Sequence, residues 1–415
     1  MSSTSIVFYN GLCDDGKCGH CKQTGNRMAY HLYTNKITVE DYQSLLDKNW
    51  ARSGKAFYLP RNKNNCCTKY QIKCDAVDFK ISKSQKKVIK NFNTFLRGQR
   101  MTNKEKEIEK IQIFNKKAQK PSKKKFKRVE RKKEKILAKG ISLENWTRKY
   151  QNKEKYLEDL LSEEPTDGKH QFEVKLMRSS AALSRQSFEL YLKYQIAVHG
   201  MSIDGKTIEG FEKSYIESPV EHRKNDQTPA DGYGSFHQQY FIDNRLVAVS
   251  IFSILPNCIS SCYCFYDPDF KFLNLGTYTA LREISFVREL QKSFSNLRFY
   301  NFGYFVPTCR KVRYMTNFKP NFLLCPETFT WNLLDENLLK EVEAVKYLKI
   351  NKNERNCDAV TKDDLNDVML YWERMRISYG ELKKIILKSD ENEVLEYAQN
   401  VGKKLSQKML LMRYY

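Results

Sequence analysis

Residues 231–257 read DGYGSFHQQYFIDNRLVAVSIFSILPN. Gly232 and Gly234 open the stretch as turn residues. Two runs rich in β-branched and aromatic residues follow, separated by Asp243-Asn244. That pair, between two such runs, predicts a tight β-hairpin. The first strand carries His237, Gln238 and Gln239 in succession. Strand alternation sends His237 and Gln239 to one face and Gln238 to the other. A surface strand has little use for two adjacent amides, whereas a site that holds polar substrate groups does.

Working outward, SSCYCFYD reads as a third strand ended by Pro268. A helix follows over about 275–292, with Gly276 near its start, then a strand in RFYNFGYFV. Upstream, FEVKLMRSS alternates as a strand. RQSFELYLKYQIAVHG has helical spacing and stops at Gly200, and a loop covers 202–230. Nearer the N-terminus, TVEDYQSLLDK predicts a helix capped by Thr38 with Asp41 at its third position. AFYLP and YQIKCDAVDF predict strands, and SKSQKKVIKNFNTFL a further helix. Residues 362–376 and 390–413 read as helices. Strands and helices mix without a repeating order, so the class is α+β. Three units follow: 1–97, rich in cysteine; 98–168, a basic linker or insertion; and 169–415, the larger α+β unit with C-terminal helices.

The chain of 415 residues is 41% hydrophobic and carries a net charge of +23. That excess implies a polyanionic partner, nucleic acid before a membrane surface. Residues 116–139 hold 13 basic and 2 acidic side chains. Lys123, Lys124 and Lys125 are its densest run and are expected to touch RNA backbone. No apolar run reaches the ~18 residues of a membrane span, and no signal-peptide pattern opens the chain. A cytoplasmic or nuclear location is expected, with no membrane partner. The 12 cysteines should then be thiols.

Half of those cysteines lie in the first 74 residues. Cys18-Gly19-His20-Cys21 is a CxxC turn, and Cys66-Cys67 supplies a second pair. Four sulfurs on two turns make a metal site, for zinc or an iron–sulfur cluster. Cys13, Cys74, His20 and His31 are spare ligands. The spacing does not choose between the two metals.

Longer motifs carry a resemblance. CGHCK, DYQSLLDKNWARSGKAFY, NNCCTKYQIKC, GSFHQQY, ILPNCISS, YDPDF, LGTYTALREISF, LLCPETFTW and YAQNVGKKLSQKMLL occur in that order. In this the chain resembles the eukaryotic arginyl-tRNA–protein transferases over nearly its whole length, apart from 98–140 and 202–230. The resemblance implies a GNAT-like fold over 169–415 and a metal or cluster at Cys18, Cys21, Cys66 and Cys67. It implies transfer of arginine from arginyl-tRNA to proteins with an N-terminal Asp, Glu or oxidised Cys. The product would enter the N-degron branch of ubiquitin-dependent degradation, with arginyl-tRNA synthetase or a ubiquitin ligase as further partners. Two departures stand out. The family pattern carries Asp before ILPN, where this chain has Ser253. It carries His-Ser-Cys-Pro where this chain has Pro307-Thr308-Cys309-Arg310.

The chemistry sets what the residues must do. An α-amine attacks an ester, and its pKa of ~7.7–8.0 leaves a usable neutral fraction at cell pH. No covalent nucleophile is needed; positioning and an oxyanion site are. His237, Gln239 and Tyr304 are the expected catalytic residues, with Gln238 beside them in the substrate cleft. Asp267 is the expected carboxylate for the arginine. Arg282, Lys311 and Arg313 are cations for the acidic acceptor, and Tyr314 a ring for stacking. Gly276 opens a helix start to a tRNA phosphate. The absence of a fuller glycine-rich loop argues against coenzyme A as a cofactor.

Overall fold

A computed structural model describes residues 4–14, 16–24, 27–99, 155–354, 356–385 and 390–414. The basic run 116–139, with Lys123, Lys124 and Lys125, lies outside the described residues. Among the described residues, fifteen strands form two mixed sheets, numbered here in chain order. The first sheet takes β1 (Ile6–Asp14), β2 (Met28–Lys36), β3 (Ala51–Ser53), β4 (Ala56–Pro60), β13 (Met369–Trp372), β14 (Met375–Ser378) and β15 (Leu410–Met412). Its order is β14-β13-β15-β1-β2-β4-β3. The second takes β5 (Tyr70–Asp75), β6 (Phe172–Arg178), β7 (Gly234–Ile242), β8 (Arg245–Ile254), β9 (Cys258–Tyr266), β10 (Phe299–Phe305), β11 (Asn321–Leu324) and β12 (Trp331–Leu333). Its order is β12-β11-β5-β10-β9-β8-β7-β6. The class is α+β, as expected.

The hairpin forms as the sequence predicts. Asp243 and Asn244 take φ of 51° and 62°, the left-handed pair that a two-residue turn requires. The helix Val39–Leu46 starts at Thr38, whose hydroxyl accepts from the Asp41 N–H at 3.2 Å. The helix Arg185–His199 ends on Gly200 at φ 61°.

The C-terminal region departs from the expectation. Residues 362–376 are not a helix. A short 3₁₀ turn, Asp363–Asp367, leads into the hairpin β13–β14. Its turn residues Glu373 and Arg374 take φ of 48° and 65° without the Gly, Asn or Asp that signals such a turn. Residues 390–413 are helical only over Glu391–Val401 and Lys403–Ser406, and then become β15. β15 pairs in parallel with both β1 and β13, and that tertiary pairing overrides local helical spacing.

The sheets do not divide at residue 97. β5 from the N-terminal third sits inside the second sheet, between β10 and β11. The C-terminal β15 sits inside the first. Trp50, fully buried, donates its indole N–H to the Asn400 carbonyl at 3.1 Å and ties the same two ends.

Both faces of the second sheet are covered. The helix Leu275–Gln291 links β9 to β10 and buries Tyr278, Leu281, Ile284 and Val287. It also buries Glu283, which accepts from Ser250 Oγ and from Tyr300 OH at 2.7 Å. Burial pushes its carboxyl up to about 7, against those two hydrogen bonds. On the other face, the helix Arg185–His199 and the turn Glu212–Ile216 pack on Val249, Ile251 and Phe265. Among the described residues no helix is long and apolar enough to cross a membrane.

Two consequences are measurable. Glu283 binds its proton more tightly folded than unfolded, so its contribution to stability falls as pH rises from about 4.5 through about 7. Thermal melts of Glu283→Gln should show a shallower loss of stability between pH 5 and 8 than the parent. Gly54, at φ 57°, turns β3 into β4 against the Lys213 carbonyl oxygen, which a Cβ would overlap. Gly54→Ala should lose at least ~1–2 kcal/mol from the left-handed backbone alone, read by denaturant unfolding.

Candidate active site and metal centre

The second sheet opens in its middle. β9 and β10 run parallel but pair only at Cys258–Ser260 with Phe299–Asn301. Beyond Ser260 and Asn301 the strands part, although β9 continues to Tyr266 and β10 to Phe305. Each strand bulges where they separate. On β9, Ile251 faces Tyr263 and Phe252 faces Ser261, so Cys262 is an extra residue. On β10, Asn301 faces Lys73 and Gly303 faces Ile72, so Phe302 is extra. Bulges leave a residue outside the ladder and redirect backbone N–H groups. Gly303, at φ 84°, meets the backbone requirement, and its N–H donates to Asn301 Oδ1 at 2.7 Å.

Aromatic rings line this opening. Tyr304 packs on Tyr58 at 5.8 Å, and Tyr215 stacks on Tyr263 at 4.9 Å. The Lys69 ammonium lies over the rings of Tyr58 and Tyr304 at 5.7 and 5.8 Å.

Beside the β9 bulge lies a buried cation that the motif reading passed over. Arg52, on β3, is 9% exposed. Its Nη1 donates to the Gly54 carbonyl at 2.9 Å. Its Nη2 reaches Ser235 Oγ at 3.2 Å, Cys262 Sγ at 3.4 Å and Ser253 Oγ at 3.5 Å. Its Nε has no acceptor. Among the described residues no carboxylate pairs with it. A guanidinium does not lose its proton in a protein, and burying an ion unpaired costs several kcal/mol. Arginine is ordinarily a surface residue, so position 52 gave no sign of its burial.

The expected site residues fall in different places. His237 is fully buried under the turn Glu212–Ile216, with Nε2 3.0 Å from the Tyr215 carbonyl oxygen and Nδ1 unpartnered. Burial pulls its pKa down to about 4, so the ring is neutral at cell pH. Gln239 donates to Ser187 Oγ at 3.3 Å, and Gln238 accepts from Tyr240 OH at 2.6 Å. All three are buried and hydrogen-bonded within the protein. Asp267 is 2% exposed and bonds Lys193 at 2.5 Å, Arg245, and the Asp269 N–H. Its oxygens are engaged before any arginine arrives. Arg282 binds Glu164 through contacts of 2.7 and 2.8 Å. Arg313 pairs with Glu343 at 2.5 Å. Gly276 lies in the first turn of its helix, beside the Tyr266 ring. Tyr304 lies on β10, and Lys311 and Tyr314 on the 3₁₀ segment after it, each with different neighbours. Tyr304 OH donates to the Asn49 carbonyl at 2.6 Å, Lys311 to the Val198 carbonyl at 2.9 Å, and Tyr314 is exposed.

The cysteines converge. Cys18, Cys21, Cys66 and Cys67 bring their sulfurs within 4.8 Å of one another. Cys13, Cys74, His20 and His31 are not part of this group. Cys66 and Cys67 are pushed up to about 11 and about 12 by burial and by the neighbouring sulfurs. Burial works the same way on Cys18, but N–H groups of Cys21 and His20 outweigh it and bring that thiol to about 6. Sulfurs this crowded cannot all ionise without a cation, so the donor set fits a metal. Cys67 also lies 3.8 Å from Thr308 Oγ1, with Val306 and Cys309 packed alongside. The centre therefore abuts the segment that leaves β10.

Comparison with known proteins places this arrangement. Residues 16–87 match the model for the N terminus of the arginine-tRNA-protein transferases, and residues 186–325 the model for their C terminus. Arginyl-tRNA–protein transferase 1 of Drosophila melanogaster is 30% identical across 99% of this chain and its own full length. Arginyl-tRNA–protein transferase 2 of Arabidopsis thaliana is 29% identical over 76% of this chain and 73% of its own. The aspartate/glutamate leucyltransferase of Campylobacter jejuni is 38% identical over 96 residues, 23% of this chain and 38% of its own. The chain belongs to the arginyl-tRNA–protein transferase family and is an arginyltransferase.

Proposed function

We propose that the opening between β9 and β10 is where the arginyl ester of arginyl-tRNA meets the α-amine of an acceptor protein. The observation that carries this reading is the paired bulge at the point where the strands part. It supports a GNAT-like use of the sheet, in which backbone N–H groups released from the ladder face the reacting carbonyl. The amine nitrogen attacks the ester carbon. The tetrahedral oxyanion takes hydrogen bonds from N–H groups near Cys262, and the ester C–O bond breaks. The ribose oxygen leaves and takes a proton, while the amine gives one up. Preorganised donors of this kind lower the barrier by ~3–4 kcal/mol each.

The acceptor we propose begins with Asp, Glu or oxidised Cys. A relative that carries aspartate and glutamate in its name supports an acidic acceptor, as do two buried cations beside the parted strands, Arg52 at Cys262 and Lys69 over the Tyr304 ring. The arginylated product would be read by the N-degron branch of ubiquitin-dependent degradation. Twelve unpaired thiols support a reducing compartment, cytosol or nucleus. The lysine run at 123–125 supplies charge for the tRNA body.

At the cysteine centre we propose a single tetrahedral ion, zinc. Four sulfurs within 4.8 Å suit Zn–S bonds of ~2.3 Å to one ion. Its role is to hold Cys66-Cys67, and so the start of β5, against the exit of β10.

Incubation with labelled arginyl-tRNA should label a peptide beginning with Asp and leave its Ala-first twin unlabelled. Equal labelling of both would remove the acidic-acceptor reading, and no label on either the transfer site. Metal analysis of protein purified without oxygen should find one zinc per chain. Iron with acid-labile sulfide would replace the ion by a cluster. Cys66→Ser should lose the metal and most of the transfer rate.

A further inference from the structure

We propose that Glu283 is a positioning residue for the transfer reaction: its carboxylate reaches across β9, holds β8 and β10 at once, and so sets how far β9 and β10 part. This rests on the reading above that the opening is the transfer site.

Glu283 is fully buried on the helix Leu275–Gln291. One carboxylate oxygen accepts from Ser250 Oγ on β8, the other from Tyr300 OH on β10 at 2.7 Å. β9 lies between those two strands. Ser250 sits opposite Cys264, on the stretch of β9 that has left β10. Tyr300 sits opposite Ile259, where β9 and β10 are still paired. The carboxylate thus ties the parted side of the sheet to the closed side. Its hold continues to the bulge. The Tyr300 ring packs edge-on against Phe302, the extra residue of β10, at 4.6 Å. From the same helix, Thr279 Oγ1 lies 3.6 Å from Cys264 Sγ.

A carboxylate is costly in this place. Among the described residues no cation pairs with it, and apolar side chains of the same volume would be more easily buried. What the carboxylate does that they cannot is accept from two hydroxyls on two strands. The acid form does this poorly. One oxygen then carries a proton and must donate, so Ser250 or Tyr300 turns its hydroxyl away. The groups around Glu283 do not share its titration. Tyr240 on β7, Tyr300 on β10, Tyr314 after β10 and Cys264 on β9 are all pushed above their ordinary ranges by burial. They stay neutral between pH 6 and 8. Arg282, next on the helix, is turned to Glu164. Glu283, held up to about 7, is the group of this cluster that changes charge in that range.

The test measures kcat and KM from pH 6 to 8 with arginyl-tRNA and an Asp-first peptide, for the parent, Glu283→Gln and Tyr300→Phe. Dividing parent by variant at each pH removes the ionisation of the acceptor amine, which both share. Above its pKa Glu283 is the carboxylate, and below it the acid offers one acceptor and one donor, as the amide does. The parent-to-Gln ratio of kcat should therefore be at least about tenfold at pH 8 and shrink below about twofold at pH 6. KM for both substrates should stay within about twofold of the parent. Tyr300→Phe keeps the ring on Phe302 and removes one donor to the carboxylate, so the rise of its kcat should move to higher pH. A parent-to-Gln ratio that does not vary with pH, a Glu283→Gln enzyme with parental kcat, or a Tyr300→Phe enzyme with the parental pH profile overturns the proposal and leaves Glu283 a core residue. A parent enzyme that labels no peptide removes the transfer site itself, which separates the two failures.

Discussion

The pairing of β5 with β10 is the constraint on which the rest of the molecule depends. A buried strand cannot leave its N–H and C=O groups without partners. β10 pairs with β5 along its whole length, from Phe299 opposite Asp75 to Phe305 opposite Tyr70. On its other edge it needs β9 for only three residues. β9 is in turn held by β8 from Ile259 to Tyr266. Each strand therefore has one complete neighbour, and the edge between them can open at a tolerable cost. Take β5 away and β10 would keep its ladder only by closing onto β9, which would fill the cleft.

β5 belongs to the N-terminal third of the chain, and the cysteine centre belongs to it as well. Cys67 precedes Tyr70 by two intervening residues, so whatever fixes the sulfurs fixes where β5 begins. The sulfur of Cys67 also lies 3.8 Å from Thr308, just beyond the end of β10. The four sulfurs thus sit at the entry of one strand and the exit of its partner, at the same end of the ladder. Distance along the chain hides it, since residues 67 and 308 become neighbours only once both sheets exist.

That distance explains what was legible in the sequence. Asp243-Asn244 announced its hairpin because the turn needs a left-handed backbone and those side chains tolerate it. Thr38 and Gly200 announced helix ends for equally local reasons. Glu373-Arg374 makes the same left-handed turn with residues that give no such signal, so β13 and β14 read as helix. The four cysteines were legible because metal ligands must be of a particular type. His237, Gln238 and Gln239 were legible as polar residues on a strand, but a strand pattern does not say which side is solvent. Here the His237 face is roofed by the turn Glu212–Ile216, within the loop 202–230 that sequence reading left without structure. Arg52 was the least visible of all. Its side chain is held by the hairpin β7–β8 and the bulge of β9, at residues 183 to 210 positions further along the chain.

Ser253 on β8 and Pro307-Thr308-Cys309-Arg310 after β10 stand on either side of β9 and β10, where those two strands part. Ser253 stands on β8 beside the β9 bulge and faces Arg52. Pro307-Thr308-Cys309-Arg310 follows β10 and packs on the cysteine centre. Ser253 pairs with Ser235 and with Ser260 inside the ladder, whereas residues 307–310 lie beyond the end of β10. Arginine at position 52 then remains a cation in a low-dielectric setting, where an attraction to a carboxylate is far stronger than in water. A chain that retains such a charge without an internal partner gives up stability at that point. The loss is offset by contacts that need no carboxylate, the Tyr42 ring at 5.7 Å and the Gly54 carbonyl at 2.9 Å.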